Sequence, residues 1–171
     1  MDYASKFQLY WSRTNQSVVT FDALIKMGYL DAPASKGHHL AVPGGLVMHS
    51  MRVTDLLLDA GAIPDQSAYR IGMYHDLVKC QCYRAVGDGK YEYVQPPYPG
   101  HGIASALIAA DIGIELTPAE RAAIVWHMGA FGLDERQMEE YKAALHQWPI
   151  PLIFTHAADL LASTQEEIEN A

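Results

Sequence analysis

Apolar residues recur every three to four positions over 5–13 and 20–29, which predicts two amphipathic helices at the start of the chain. The segment 32–45, APASKGHHLAVPGG, loses that period and reads as a loop of small residues, prolines and glycines. Leu46, Met51, Val53, Leu57 and Leu58 then outline a buried helix that ends at Gly61 and Pro64. Residues 65–79, DQSAYRIGMYHDLVK, predict the next helix, with Asp65 as its cap. The pattern changes over 82–94. Tyr and Val alternate around Gly87-Asp88-Gly89, the signature of a short β-hairpin. The proline-rich QPPYPG leads to a helix from His101, and TPAERAAIVWHMGAF carries a capping-box pattern on Thr117 and Glu120. A looser segment with Glu139, Glu140 and Lys142 precedes a long closing helix from Pro149. The expectation is an all-α chain with one small hairpin insertion near 82–94, folded as a single domain over 1–171.

Composition narrows this picture. Half of the 171 residues are hydrophobic and 19% are charged, which supports a real core rather than a disordered tail. A net charge of -8 argues against a stable nucleic-acid complex. Cys80 and Cys82, one residue apart, are too close for an unstrained disulfide and read as packing residues in a reducing compartment. There is no apolar run of membrane-spanning length, and the N-terminus lacks the layout of a signal peptide. A cytoplasmic protein with no membrane association is expected. The oligomeric state cannot be read from the chain.

Polar residues inside apolar helical segments carry the chemistry. His49, His75, Asp76, His101, His127 and Asp159 are six such positions. Burying any of them alone is costly. His49 to His75 is 26 residues, Asp76 to His101 is 25, and His101 to His127 is 26. A two-helix hairpin uses about that length to go out and return. The six side chains can therefore converge at one level of a helical bundle. Four imidazoles and two carboxylates at one point make a metal site, suited to Mn, Fe, Co, Ni or Zn. Six ligands suggest two divalent ions with Asp76 between them, a centre that suits displacement at phosphorus.

The order H49…H75-D76…H101…H127…D159 resembles the binuclear branch of the HD-domain metal-dependent phosphohydrolase superfamily. The segments HHLAVPGGLVMHSMRV (38–53), YHDLVK, PGHG, WHMGAFG and THAADLLA are similar to those of bacterial stand-alone HD hydrolases. They also resemble the HD domain of a bacterial 3′-to-5′ exoribonuclease family, although this chain has no room for that family's nucleic-acid-binding domain. The resemblance covers about 38–164, leaving a helical N-terminal extension over 1–37. It implies an HD-type helical bundle. It implies hydrolysis of a phosphoester or phosphoanhydride, in a nucleotide or short oligonucleotide, by metal-activated water. His49, His75, Asp76 and Asp159 would hold the first ion, Asp76 would bridge, and His101 and His127 would hold the second. Asp76 and Lys79 are the catalytic candidates, and Lys79 matches a lysine that could hold a substrate phosphate. Val78 departs from the glycine that many members have there.

Four further residues are substrate-binding candidates. Arg52 follows His49 by three and either reaches a phosphate oxygen or forms an ion pair. Arg84 opens the hairpin close to the HD pair. His156, three residues before Asp159, is a ligand, a substrate contact or a packed histidine. His39 is read as lining the pocket. Two rival readings use the same ligand set: a di-iron HD-type oxygenase, and a nucleotide-binding HD module without turnover.

Overall fold

The computed structural model describes residues 3–38 and 40–169. The chain is mostly helical, with one small antiparallel sheet. In order, the elements are α1 (Tyr3–Arg13), α2 (Val18–Lys26), α3 (Gly45–Ala60), α4 (Asp65–Tyr74), the single-turn α5 (Lys79–Cys82), β1 (Tyr83–Gly87), β2 (Lys90–Tyr93), α6 (His101–Asp111), α7 (Pro118–Val125), α8 (Glu135–Gln147) and α9 (Pro149–Glu169).

Helix boundaries follow capping chemistry. Ser17 caps α2 by accepting from the Thr20 amide. Thr117 and Glu120 form the expected capping box on α7, with Pro118 at the first helical position. Asp65 is the first residue of α4 rather than its cap, and the cap position is Pro64. There the Asp65 carboxylate still favours the positive end of the helix dipole. The segment 135–147, read from sequence as loose, is a regular helix opened by a second capping box on Asp134 and Gln137. Its first turns, ERQMEE, carry one apolar residue, Met138, too few to show the period.

Two apolar clusters hold the helices together. Phe7, Leu24 and Tyr29 from α1, α2 and the segment after them pack with Leu46, Val47, Met73, Tyr74 and Ile108. Val53, Leu57, Ile71, Ala123, Leu152 and Ala162 form the other cluster. Helices α3 and α4 contribute to both, so they form the spine of the molecule. Each fully buried Leu or Ile contributes about 1.5–3 kcal/mol of transfer free energy. Tyr29 ties its hydroxyl to the Met73 carbonyl at 2.6 Å, which anchors the N-terminal helices to α4.

Two glycines set the closest helix approaches. A Cβ on Gly72 of α4 would lie 2.2–2.8 Å from Thr54 of α3. A Cβ on Gly102 of α6 would lie 2.2 Å from the Val125 carbonyl oxygen and 2.6 Å from that of Ile124, in α7. Both contacts stand next to histidines of interest. The hairpin pairs Tyr83 with Tyr93 and Arg84 with Glu92. It turns through Asp88 and Gly89, both at positive φ. Among the described residues, no helix is long and apolar enough to cross a membrane.

Candidate metal centre

The HD pair does not lie within a continuous helix. Helix α4 stops at Tyr74, and residues 75–78 form a turn before α5. Amides of Lys79, Cys80 and Gln81 donate to carbonyls three residues back, at 2.9–3.1 Å. The 65–79 helix expected from sequence is thus broken at His75 and Asp76. Adjacent residues of a regular helix diverge by about 100°. The tight turn lets His75 and Asp76 face one centre.

His75 and His127 are built alike. Each follows the end of a helix, and each directs its Nδ1–H at the carbonyl three residues back. His75 donates to Gly72 at 2.9 Å and His127 donates to Ile124 at 2.7 Å. Those two carbonyls belong to the two close helix approaches just described. With Nδ1–H committed to that carbonyl, Nε2 is the atom left to meet the centre, as a lone pair on the neutral ring or as a second N–H on the imidazolium. Both Nε2 atoms are buried and have no hydrogen-bond partner. Carboxylate oxygens face them: Asp76 Oδ2 at 3.3 Å from His75, and Asp76 Oδ1 at 3.5 Å from His127. Imidazole nitrogens opposed to carboxylates call for positive charge between them, a metal ion or, on His75, a proton.

His49, in the second turn of α3, completes the group. Its Nε2 lies 3.0 Å from Asp159 Oδ1, and its Nδ1 lies 3.0 Å from Glu166 Oε2. Asp159 sits in mid-α9, with Glu166 two turns further along the same face. His101 opens α6 and brings Nε2 to 2.5 Å from Asp76 Oδ1. The four imidazoles run in series, His49–His75–His127–His101, with ring centroids 5.1–5.3 Å apart.

Asp76 divides its two oxygens between two sets of donors. Oδ1 faces His101 and His127, at 2.5 and 3.5 Å. Oδ2 faces His75, His49 and Lys79, at 3.3, 3.7 and 2.6 Å. Two groups of ligand atoms result, each within 4.8 Å: His49, His75, Asp76 and Asp159 in one, and Asp76, His101 and His127 in the other. These buried clusters could hold metal ions. The unpartnered imidazole nitrogens and the imidazole–carboxylate donor set both fit a first-row divalent cation.

The electrostatics express the same demand for positive charge. Burial pushes the Asp76 carboxyl up, but Lys79, His75 and His101 hold it well below the usual carboxylate range. Burial likewise opposes ionisation of Asp159, and the adjacent imidazoles of His49 and His75 overcome it, holding its carboxyl well below the usual range. Burial lowers His75, yet Asp76 and Asp159 raise it to about 10. In His127 burial wins, and its pKa is lowered. Burial opposes charge on Lys79, but Asp76 raises its pKa, so the ammonium stays charged.

The cluster forms the floor of a cavity of about 440 Å³. Asp76, Lys79, His101, His156 and Asp159 line it together with Tyr83, Met128, Phe131 and Leu160 and the small residues Ala34, Ser35 and Ser163. Of the substrate-binding candidates, Lys79 and His156 line this cavity. His156 donates Nδ1–H to the His127 carbonyl at 2.8 Å, so it braces the segment that carries a cluster histidine. Arg52 and Arg84 line no part of it. Arg52 pairs with Glu169 at 2.8 Å and approaches Glu166 at 3.8 Å, so it serves the far side of His49. Arg84 pairs with Glu92 across the hairpin and is largely exposed. His39 lies outside the described residues. Glu166 was missed in the sequence, where its seven-residue spacing from Asp159 was the available signal.

No family model, curated protein or solved structure matches the chain in comparisons with known proteins.

Proposed function

We propose that the protein is a divalent-metal-dependent phosphohydrolase with an HD-type helical core, acting on a phosphoester or phosphoanhydride of a nucleotide. The observation that carries this reading is the pair of buried, unpartnered Nε2 atoms on His75 and His127, opposed to the two oxygens of Asp76 on a cavity floor. In this reading His49, His75, Asp76 and Asp159 hold one ion, and Asp76, His101 and His127 hold a second. Bound ions would supply Lewis-acid polarisation of a phosphoryl oxygen and acidification of water.

The chain's own residues do the rest. The carbonyls of Gly72 and Ile124 fix which nitrogen of His75 and His127 is free. Glu166 does the same for His49 through a charge-assisted bond. Lys79 Nζ, 2.6 Å from Asp76, neutralises that carboxylate and offers a donor to a phosphate oxygen at the cavity floor. Tyr83, Met128 and Leu160 line the cavity above the floor and limit water there.

The test is hydrolysis of a mixed panel followed by mass spectrometry, with Mn²⁺ supplied and Asp76→Ala as control. The panel holds nucleoside mono- and triphosphates, dinucleoside polyphosphates, cyclic dinucleotides and short RNA. Cleavage of one class by the wild type alone is the expected result. Metal bound without cleavage of any member overturns the reading, and O₂ consumption by the iron-loaded protein, sensitive to the iron redox state, replaces it with di-iron oxygenase chemistry.

A further inference from the structure

The loop between α7 and α8 carries a feature the metal centre does not use. Phe131 is 82% exposed. A ring so placed gains nothing from the core, yet it lines the cavity above the cluster and also a second cavity on the other side of the same loop. The loop is shaped to present it. Gly129 and Gly132 both have positive φ, at +64° and +70°, so the chain bends on either side of the ring. Gly129 also packs against the His156 imidazole, where a Cβ would meet ring atoms at 2.9–3.2 Å. Met128 and Leu160, 39% and 60% exposed, extend the apolar wall beside Phe131.

The charge around the cavity is as informative. Among the described residues lining it, Lys79 is the only lysine or arginine. Arg52 and Arg84 are committed to Glu169 and Glu92. A reacting phosphoryl group has the cluster and Lys79 to meet it. A second or third phosphate would find no further lysine or arginine in the lining to balance it. A volume of about 440 Å³ also suits one nucleoside-sized body rather than an oligonucleotide.

Resting on the proposed reaction, we infer that the cavity selects ligands with a single phosphate and a flat aromatic base, and that Phe131 is the surface on which the base stacks. Phe131 is then a specificity-determining residue. It touches the base and not the reacting bond, so its loss weakens binding of base-bearing ligands alone.

The test measures equilibrium binding, separately from turnover. Phosphonate analogues of a purine nucleoside monophosphate, of its triphosphate and of ribose 5-phosphate are titrated calorimetrically into Mn²⁺-loaded wild type, Phe131→Ala and Phe131→Tyr. The monophosphate analogue should bind wild type more tightly than the triphosphate analogue. Phe131→Ala should weaken the monophosphate analogue by about fivefold or more, in line with base–aromatic stacking, and leave the ribose analogue unchanged. Phe131→Tyr should restore the loss, and the exposed position makes unfolding of either variant an unsuitable explanation. Equal or tighter binding of the triphosphate analogue overturns the single-phosphate selectivity. An equal effect of Phe131→Ala on all three ligands, or none, overturns the stacking role. If the ligands bind in the expected pattern but the substrate panel is not hydrolysed, the proposed reaction fails and this inference stands. If the panel is hydrolysed without the pattern, the reverse holds.

Discussion

Glu166 holds His49 by its Nδ1, at 3.0 Å, from two helical turns beyond Asp159, whose carboxylate meets the Nε2 of the same ring at 3.0 Å. One face of α9 therefore grips both nitrogens of a histidine carried by α3. Glu166 is 1% exposed and lies near Arg52, which Glu169 also holds. This chain of contacts fixes the ring's tautomer and its orientation toward the cluster.

Glu166→Gln should therefore weaken metal affinity about 10–100-fold, since outer carboxylates of ligating histidines are worth that much. The amide keeps the shape and loses the charge. Competition with a chelating dye reads the affinity directly. An unchanged affinity would reduce Glu166 to a packing role.

Metal binding should release a proton from His75. The metal-free ring, with its pKa raised to about 10, holds a proton at neutral pH. Its Nδ1 proton is committed to the Gly72 carbonyl, so the additional proton occupies Nε2, the atom a metal needs. Asp76 and Asp159, held well below the usual range, are already ionised and release none. Affinity should then rise with pH, by about tenfold per unit for each proton displaced, and stop rising near the His75 pKa. Calorimetry in buffers of different ionisation enthalpy counts the protons. A count of zero between about pH 6 and about pH 8 would contradict the charge balance drawn for the site.

Much of the cluster was legible because burial cost exposes it. His49, His75, Asp76, His101, His127 and Asp159 interrupt apolar segments at bundle spacing, and the structure places all six side by side. What the pattern could not show was depth along a side chain. Arg52 shares a face with His49 three residues earlier, but its long side chain turns to Glu169. Arg84 is near the HD pair in sequence and reaches outward on the hairpin instead. Glu166 sits in TQEEIE, where adjacent acids read as a solvated end. The turn 75–78 holds no glycine or proline to announce it, and Gly72 just before it lies inside α4. The break comes from turn hydrogen bonds and from contacts distant in sequence.

Gly102→Ala should damage both stability and the metal site. The new Cβ would meet the backbone carbonyls of Val125 and Ile124 at 2.2 and 2.6 Å, and backbone cannot step aside. Overpacking of this kind costs about 1–3 kcal/mol, with a rigid backbone at the upper end. The displaced Ile124 carbonyl is also the acceptor that orients His127, so metal stoichiometry should fall along with Tm. A lowered Tm with unaltered metal content would separate the packing role of Gly102 from the geometry of His127.

Gly129→Ala makes the opposite combination: a local change beside the cavity that spares the core. The residue sits at φ +64°, a conformation that disfavours any L side chain, and its Cβ would press on His156 at 2.9–3.2 Å. The imidazole belongs to a side chain and can rotate, which backbone cannot. The cost in stability should stay near 1–2 kcal/mol, roughly that of a left-handed alanine. Rotation of His156 breaks its 2.8 Å bond to the His127 carbonyl and moves the loop that carries Met128 and Phe131. Metal content should be retained, because the His127 imidazole is fixed separately by Ile124. Under the proposed reaction, KM for a nucleotide should rise several-fold while kcat changes less, since the disturbed groups line the cavity wall rather than the His/Asp cluster. Steady-state kinetics at fixed Mn²⁺ reads the split. Loss of kcat with KM unchanged would place His156 among the groups that act on the reacting bond.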